Sequence, residues 1–276
     1  MHAWKVFRQL VLTLFTVSIA TAAFAQATST PAKPAEQFEP RVGQPGKDVV
    51  WVPTPQALVD KMLDMAKVTP NDFLMDLGSG DGRTVITAAK RGLNAMGVEY
   101  NPDMVELSKK AAIKEGVANR ATFVQADLFK TDLSKASVIT MFLLPSINMQ
   151  LRPSLLNLKP GTRIVTNTFT MEDWQADETQ SVTDNCSSWC TALLWIVPAK
   201  VDTAGKPGTW KTPQGNLTLT QEFQMVTGNL NGTAISGGKI NGDQISFTAG
   251  GTTYTGRVNA AGTGIAGGNL TATKMN

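Results

Sequence analysis

The sequence predicts an α/β protein: a mostly parallel sheet wrapped by helices, with a small antiparallel β unit after it. Between Thr54 and Val197, short apolar runs alternate with segments whose apolar residues recur at helical spacing. Strands that alternate with helices require right-handed crossovers, and so a mostly parallel sheet. From Gly205 to Asn276 the helical pattern stops, and Gly, Thr and Asn crowd around strand-length stretches. A length of 276 residues suits one full domain plus a smaller one.

The N-terminal stretch is read apart from the fold. Lys5 and Arg8 precede an apolar run from Leu10 to Ala23, and Ala23-Phe24-Ala25 supplies an A-x-A site. That order describes a secretory signal peptide over residues 1–25, with cleavage after Ala25 and a periplasmic or secreted product. The other reading is an uncleaved anchor, but the run is short of the roughly 20 residues that a span needs. No stable membrane span is therefore expected after cleavage. Residues 26–48 are rich in Pro, Ala and polar side chains without apolar periodicity, and read as a flexible spacer.

The main domain is expected over residues 49–199. Leu58, Val59, Met62, Leu63 and Met65 mark an amphipathic helix between Thr54 and Ala66. Phe73–Leu77 reads as a strand running into a glycine-rich turn, with a helix from Arg83 to Arg91 beyond it. Ala95–Glu99 is the next strand, and Pro102 suits the first position of a helix reaching Glu115. Strands at Thr122–Ala126, Val138–Phe142 and Arg163–Thr168 follow, with a helix around Ile147–Leu156 before the last. Trp189–Val197 reads as the strand that closes the sheet.

Residues 205–276 are expected as the small all-β unit, of the kind that can form a partial barrel. Strand-like stretches include Leu217–Thr220, Ile245–Thr248 and Thr253–Val258, and Asn231-Gly232 and Asn241-Gly242 are type I′ hairpin signals. Below about 80 residues such a unit has a limited core and is expected to pack on its neighbour.

Composition excludes several chemistries. The one histidine is His2, inside the expected signal, so the mature chain has no imidazole. Ser-His-Asp and Cys-His nucleophile systems and the usual histidine-ligated zinc sites are excluded. No metal site is expected. Cys186 and Cys190 suit a local disulfide in an oxidising compartment, or less well a metal site short of ligands. The formal charge of +3 falls to about +1 once Lys5 and Arg8 are removed, which implies no basic surface for a nucleic-acid partner.

The motif that carries chemistry is Asp76-Leu77-Gly78-Ser79-Gly80-Asp81-Gly82, placed between a strand and a helix at the carboxyl edge of the sheet. Open α/β sheets bind ligands at that edge. The glycines permit a tight turn and let a ligand approach the backbone. A dinucleotide loop would read G-x-G-x-x-G and leave its helix end free for a pyrophosphate. Here the glycines alternate strictly behind an acid, which favours a cationic, phosphate-free ligand. Glu99, ending the second strand in Gly97-Val98-Glu99-Tyr100-Asn101-Pro102, could accept from both hydroxyls of a ribose. A solvated strand-end acid is the other reading. Asp127, in Gln125-Ala126-Asp127-Leu128-Phe129, could accept from an adenine amino group while Leu128 and Phe129 pack near the ring; a helix N-cap is its alternative.

These three elements, in this order, resemble the class I (seven-strand, Rossmann-like) S-adenosylmethionine-dependent methyltransferases. Trp51–Pro55, Asp76–Arg83, Gly97–Pro102, Ala126–Phe129, Phe142–Pro145, Gly161–Val165 and Asp173-Trp174 together are similar to the lysine methyltransferase family of mitochondrial ATP synthase c-subunit and ADP/ATP carrier. The likeness covers residues 49–197. It implies S-adenosyl-L-methionine as cofactor, a protein lysine as acceptor and a loop bearing Thr54 that closes over the cofactor. The cofactor-binding set would be Thr54, Asp76, Gly78, Ser79, Gly80, Asp81, Gly82, Glu99, Tyr100, Asn101, Asp127, Leu128 and Phe129. Leu143–Ser146, with Leu144 and Pro145 at its centre, would border the acceptor.

A lysine acceptor must first lose its proton, which at an unperturbed pKa costs about 4.6 kcal/mol at pH 7. An apolar channel beside a cationic cofactor lowers that cost by desolvation and like charge. Met141-Phe142-Leu143-Leu144-Pro145 could supply such a wall, or could simply end a buried strand. The leading expectation is an exported protein-lysine methyltransferase. The alternatives are a cell-envelope binding or accessory protein that keeps the fold without turnover, and a small-molecule methyltransferase.

Overall fold

In the computed structural model, which describes residues 38–202 and 206–275, the apolar run Phe73–Leu77 is the central strand β1. Strands β2 (Asn94–Glu99), β3 (Ala121–Gln125), β4 (Val138–Met141) and β5 (Arg163–Asn167) lie parallel to it. The chain then turns back on itself: β6 (Glu178–Ser181) and β7 (Thr191–Ile196) form a hairpin, and β7 pairs antiparallel with β5. The resulting order, β3-β2-β1-β4-β5-β7-β6, is the seven-strand Rossmann-like sheet expected. The signal peptide expected at 1–25 and the first part of the spacer lie outside the described residues.

Both faces of the sheet are covered, which is why its strands read as nearly continuous apolar runs. Helices α1 (Gln56–Met65), α2 (Arg83–Lys90) and α3 (Pro102–Lys114) bury Leu58, Leu63, Val85 and Val105 against Leu74, Val138 and Val165 on one face. Helix α4 (Pro145–Leu155) buries Ile147, Leu151 and Leu155 with Met75, Ile139, Ile164 and Trp195 on the other. Successive residues thus alternate between the two layers, as in Leu74 and Met75 or Val138 and Ile139. Asn101 starts α3, its side chain accepting from the Asp103 and Met104 amides while Pro102 takes the first turn.

Two differences from expectation concern the sheet's far edge. The short strand β6 was not expected, because Glu-Thr-Gln-Ser carries no apolar alternation and its residues are half-buried or exposed. The expected strand Trp189–Val197 starts only at Thr191, since Trp189 sits at φ +57° in a loop closed by a disulfide between Cys186 and Cys190.

The C-terminal β unit is a closed barrel of eight antiparallel strands: β8 (Gly208–Thr212), β9 (Gly215–Glu222), β10 (Met225–Leu230), β11 (Thr233–Asn241), β12 (Gln244–Ala249), β13 (Thr252–Val258), β14 (Gly264–Ala266) and β15 (Ala272–Lys274). Closure leaves no unpaired edge. Trp210, Leu217, Leu219, Ile240, Ile245 and Phe247 fill its interior. Asn231-Gly232 makes the expected turn, both residues having positive φ. At the second signal the two loop residues are Gly242-Asp243, and only Gly242 has positive φ, the II′ pattern rather than I′. The barrel packs on the sheet domain through Phe223, which stacks on Trp174 at 5.9 Å, and through a Lys239–Asp177 ion pair at 2.9 Å. No helix among the described residues is long and apolar enough to cross a membrane.

Candidate cofactor and acceptor site

Three carboxylates stand at the carboxyl ends of adjacent strands and line one cleft: Asp76 on β1, Glu99 at the end of β2 and Asp127 just past β3. Counted to its open mouth, the cleft holds about 1040 Å³. Asp76 is nearly buried, and its Oδ1 accepts from Thr140 Oγ1 at 2.6 Å. Burial pushes its carboxyl up to about 7; the bond from Thr140 opposes this, while the charges of Asp81 and Glu99 add to it. A carboxyl this reluctant to ionise alone is prepared for a neighbouring cation.

Glu99 is the latch of the glycine loop. Its Oε2 accepts from the Gly80 amide and its Oε1 from the Asn101 amide, both at 2.9 Å, so each oxygen of this cleft-lining acid keeps further accepting capacity. Asp127 caps the 3-10 turn Leu128–Lys130 by accepting from the Phe129 amide at 3.0 Å. It also pairs with Lys47 at 3.2 Å. The Phe129 amide and then Lys47 hold the Asp127 carboxyl below its ordinary range. Asp127 is therefore an N-cap and a cleft-lining acid together.

The glycine loop carries strain that only glycine accepts, but two of its glycines answer to the chain itself. A Cβ on Gly80, at φ +53°, would lie 2.5 Å from Trp51 Nε1. On Gly82, at φ +79°, it would lie 2.7 Å from the Phe123 ring. Gly82 does not line the cleft, nor does Phe129, which is 37% exposed. The other expected cofactor residues, Thr54, Asp76, Gly78, Ser79, Gly80, Asp81, Glu99, Tyr100, Asn101, Asp127 and Leu128, all do.

The run expected to border the acceptor is divided between cleft and surface. Leu144 is exposed and Pro145 opens α4, and neither lines the cleft; Met141, Phe142, Leu143 and Ile147 do. Of the run Met141–Pro145, the first three residues line the cleft and the last two do not.

Sequence reasoning placed the loop bearing Thr54 over the cofactor but left residues 44–48, which continue that cover, in the spacer. Residues 44–54 run along the cleft. Their path is fixed by paired amides, Gly43 N to Trp51 O at 2.8 Å and Trp51 N to Gln44 O at 2.9 Å. Arg83, forked on Asp81, donates to the Thr54 carbonyl at 2.9 Å and pins the segment's far end. Lys47 reaches Asp127 and lies 5.2 Å from the Tyr100 ring centroid. No periodicity announces a segment held by main-chain pairing, though Trp51 in a Pro-rich context was a cue.

The comparisons with known proteins agree with this geometry. The model of the ANTKMT methyltransferase domain matches residues 76–178. A protein-lysine N-methyltransferase of Saccharolobus islandicus is 44% identical over 152 residues, covering 54% of this chain and 94% of that protein. The chain belongs to this methyltransferase family. The lysine N-methyltransferase of the ATP synthase c-subunit in Mus musculus is 34% identical over 152 residues, and the match takes in 55% of this chain but 60% of the mouse protein. A solved RNA methyltransferase of Salinibacter ruber in complex with S-adenosyl-L-homocysteine is 43% identical, with a TM-score of 0.51, covering 54% of this chain and 96% of its own.

S-adenosyl-L-methionine is the cofactor of the methyltransferase domain, and the residues present fit it. Its sulfonium and ammonium are cationic, and the cleft offers carboxylates; the two basic side chains at the cleft, Lys47 and Arg83, are already paired with Asp127 and Asp81. Nothing in that donor set favours a phosphate-bearing ligand. Among the described residues no group of three or more potential ligands is placed to hold a metal ion.

Proposed function

We propose that the chain is an exported enzyme that transfers a methyl group from S-adenosyl-L-methionine to the side-chain amine of a lysine in a protein. The observation that carries the reading is the shared cleft: acids on three adjacent strand ends on one side, and the apolar wall Met141-Phe142-Leu143 on the other. The relatives named as lysine methyltransferases support the acceptor class.

When bound, the cofactor supplies an electrophilic methyl group for in-line displacement, so positioning does most of the catalytic work. We assign Glu99 to the ribose hydroxyls, Asp127 with Leu128 to the adenine, and Asp76 to the cationic end. Met141, Phe142 and Leu143 exclude water from the approaching amine, and the desolvation lowers its pKa. Residues 44–54 cover the cleft from solvent. No residue of the chain forms a covalent bond to the substrate in this scheme, which agrees with a mature chain free of histidine. Export is supported by the Lys5–Ala25 pattern and by the Cys186–Cys190 bridge, which belongs in an oxidising compartment.

The test is transfer of radiolabelled methyl to cell-envelope proteins, to total RNA and to small metabolites in parallel. Label recovered as methyllysine after protein hydrolysis is expected. Label confined to RNA or to small molecules would overturn the acceptor assignment, and cofactor binding without any transfer would favour an accessory role.

A further inference from the structure

Beyond the cleft, three aromatic rings meet beside the apolar wall. Phe142, which lines the cleft, lies 5.9 Å by ring centroids from both Phe169 and Trp189, and those two are 5.3 Å apart. None is fully buried, and Trp189 is 41% exposed. The rings touch one another too closely to enclose a cation between them. They form instead a continuous aromatic surface leading outward from Phe142.

This surface is held at some cost. Thr168, which precedes Phe169, and Trp189 itself adopt positive φ, +59° and +57°, a backbone state that non-glycine residues other than Asn and Asp occupy mainly at sites over-determined by their surroundings. Phe169 is fixed through its carbonyl, which accepts from Thr166 Oγ1 at 2.7 Å and from the buried Asn148 side chain at 3.4 Å. Trp189 is fixed differently. The bridge joins Cys186 to Cys190, both within the loop between β6 and β7, at a separation of four residues. It does not cross-link the two strands, and a loop this short gains less than a long one from constraint of the unfolded chain. What the small ring does contain is Trp189. The disulfide thus closes the loop that carries this exposed indole.

We propose that Trp189, carried on the disulfide-closed loop and backed by Phe142 and Phe169, is the acceptor-binding residue that selects a lysine side chain. An aromatic face attracts an ammonium and packs against its aliphatic stem, and Phe142 connects that surface to the apolar wall. This rests on the proposed lysine acceptor.

The test uses the purified chain, with cofactor present, and an acetylated and amidated Ala-Leu-Lys-Leu-Ala peptide beside its glutamine counterpart. Peptide binding by calorimetry is measured together with methyl-transfer kinetics. Wild type is expected to prefer the lysine peptide. Trp189→Ala is expected to weaken that binding and to raise KM at least tenfold, with kcat within threefold and cofactor affinity unchanged. Trp189→Phe is expected to recover most of the loss, and the Cys186→Ser, Cys190→Ser double variant to fall between. Equal binding by wild type and Trp189→Ala, absence of lysine preference in wild type, or an equal loss of cofactor affinity would overturn the proposal. Trp189-dependent binding without any methyl transfer would support it while refuting the lysine methyltransferase reading.

Discussion

Asp76 shows how one residue's environment is set against its own charge. Its carboxyl rises from an ordinary value of 3.8 to about 7 because folding buries it. A group whose folded pKa is raised contributes stability that is fully present below the unfolded value and lost as pH climbs through the folded one. The apo protein is therefore expected to weaken between pH 4 and pH 7, by up to about 4 kcal/mol from this group. Asp76→Asn keeps an oxygen for Thr140 and removes the charge, so denaturation should show a flatter pH dependence and a variant at least as stable as wild type at pH 8. The same variant should bind S-adenosyl-L-methionine at least tenfold more weakly at pH 8. Unchanged pH dependence would mean that burial does not control this carboxyl.

At the scale of elements, legibility followed the side chains. Each strand from β1 to β5 was visible because buried apolar residues mark it, and the start of α3 was visible from Pro102. The polar edge strand β6 and residues 44–48 of the cover were not, since main-chain pairing holds them and leaves no pattern. Asp76, Glu99 and Asp127 were legible because their spacing follows the strand ends, while the departure of Leu144 and Pro145 from the cleft lining needed the actual start of α4. The far end of the sheet carries a separate brace that no motif suggested. Asp72 pairs with Arg163 and accepts from Ser137 Oγ at 2.7 Å and the Thr69 amide at 2.8 Å, and Arg163 also donates to the Ala66 carbonyl at 2.9 Å. Breaking a largely buried pair leaves a charge without its partner. Asp72→Ala is expected to cost about 2–4 kcal/mol in denaturant unfolding, with cofactor affinity unchanged because the brace lies at the opposite ends of the strands.

At the scale of the molecule, the barrel joins the sheet domain by a junction more apolar than a loose tether requires. Phe223 stacks on Trp174, which is wholly buried, and Arg152 lies over the Phe223 ring at 5.2 Å from its centroid. Gln224 donates to the Gln175 carbonyl at 2.7 Å. Scanning calorimetry is expected to show one cooperative transition for the intact chain, and Phe223→Ala to lower it or split it in two. A wild-type chain that already melts in two independent steps would show that the junction contributes little.

The most direct measurement of the central claim is calorimetric titration of the purified chain with S-adenosyl-L-methionine, wild type against Glu99→Gln. The amide can still accept one of the two backbone N–H groups that the carboxylate now holds, but it presents donors where a ribose and the Gly80 amide need acceptors. One site per chain is expected in wild type, with affinity at least tenfold lower in the variant. Equal affinity in the two proteins, or no binding by either, would contradict the cleft assigned here.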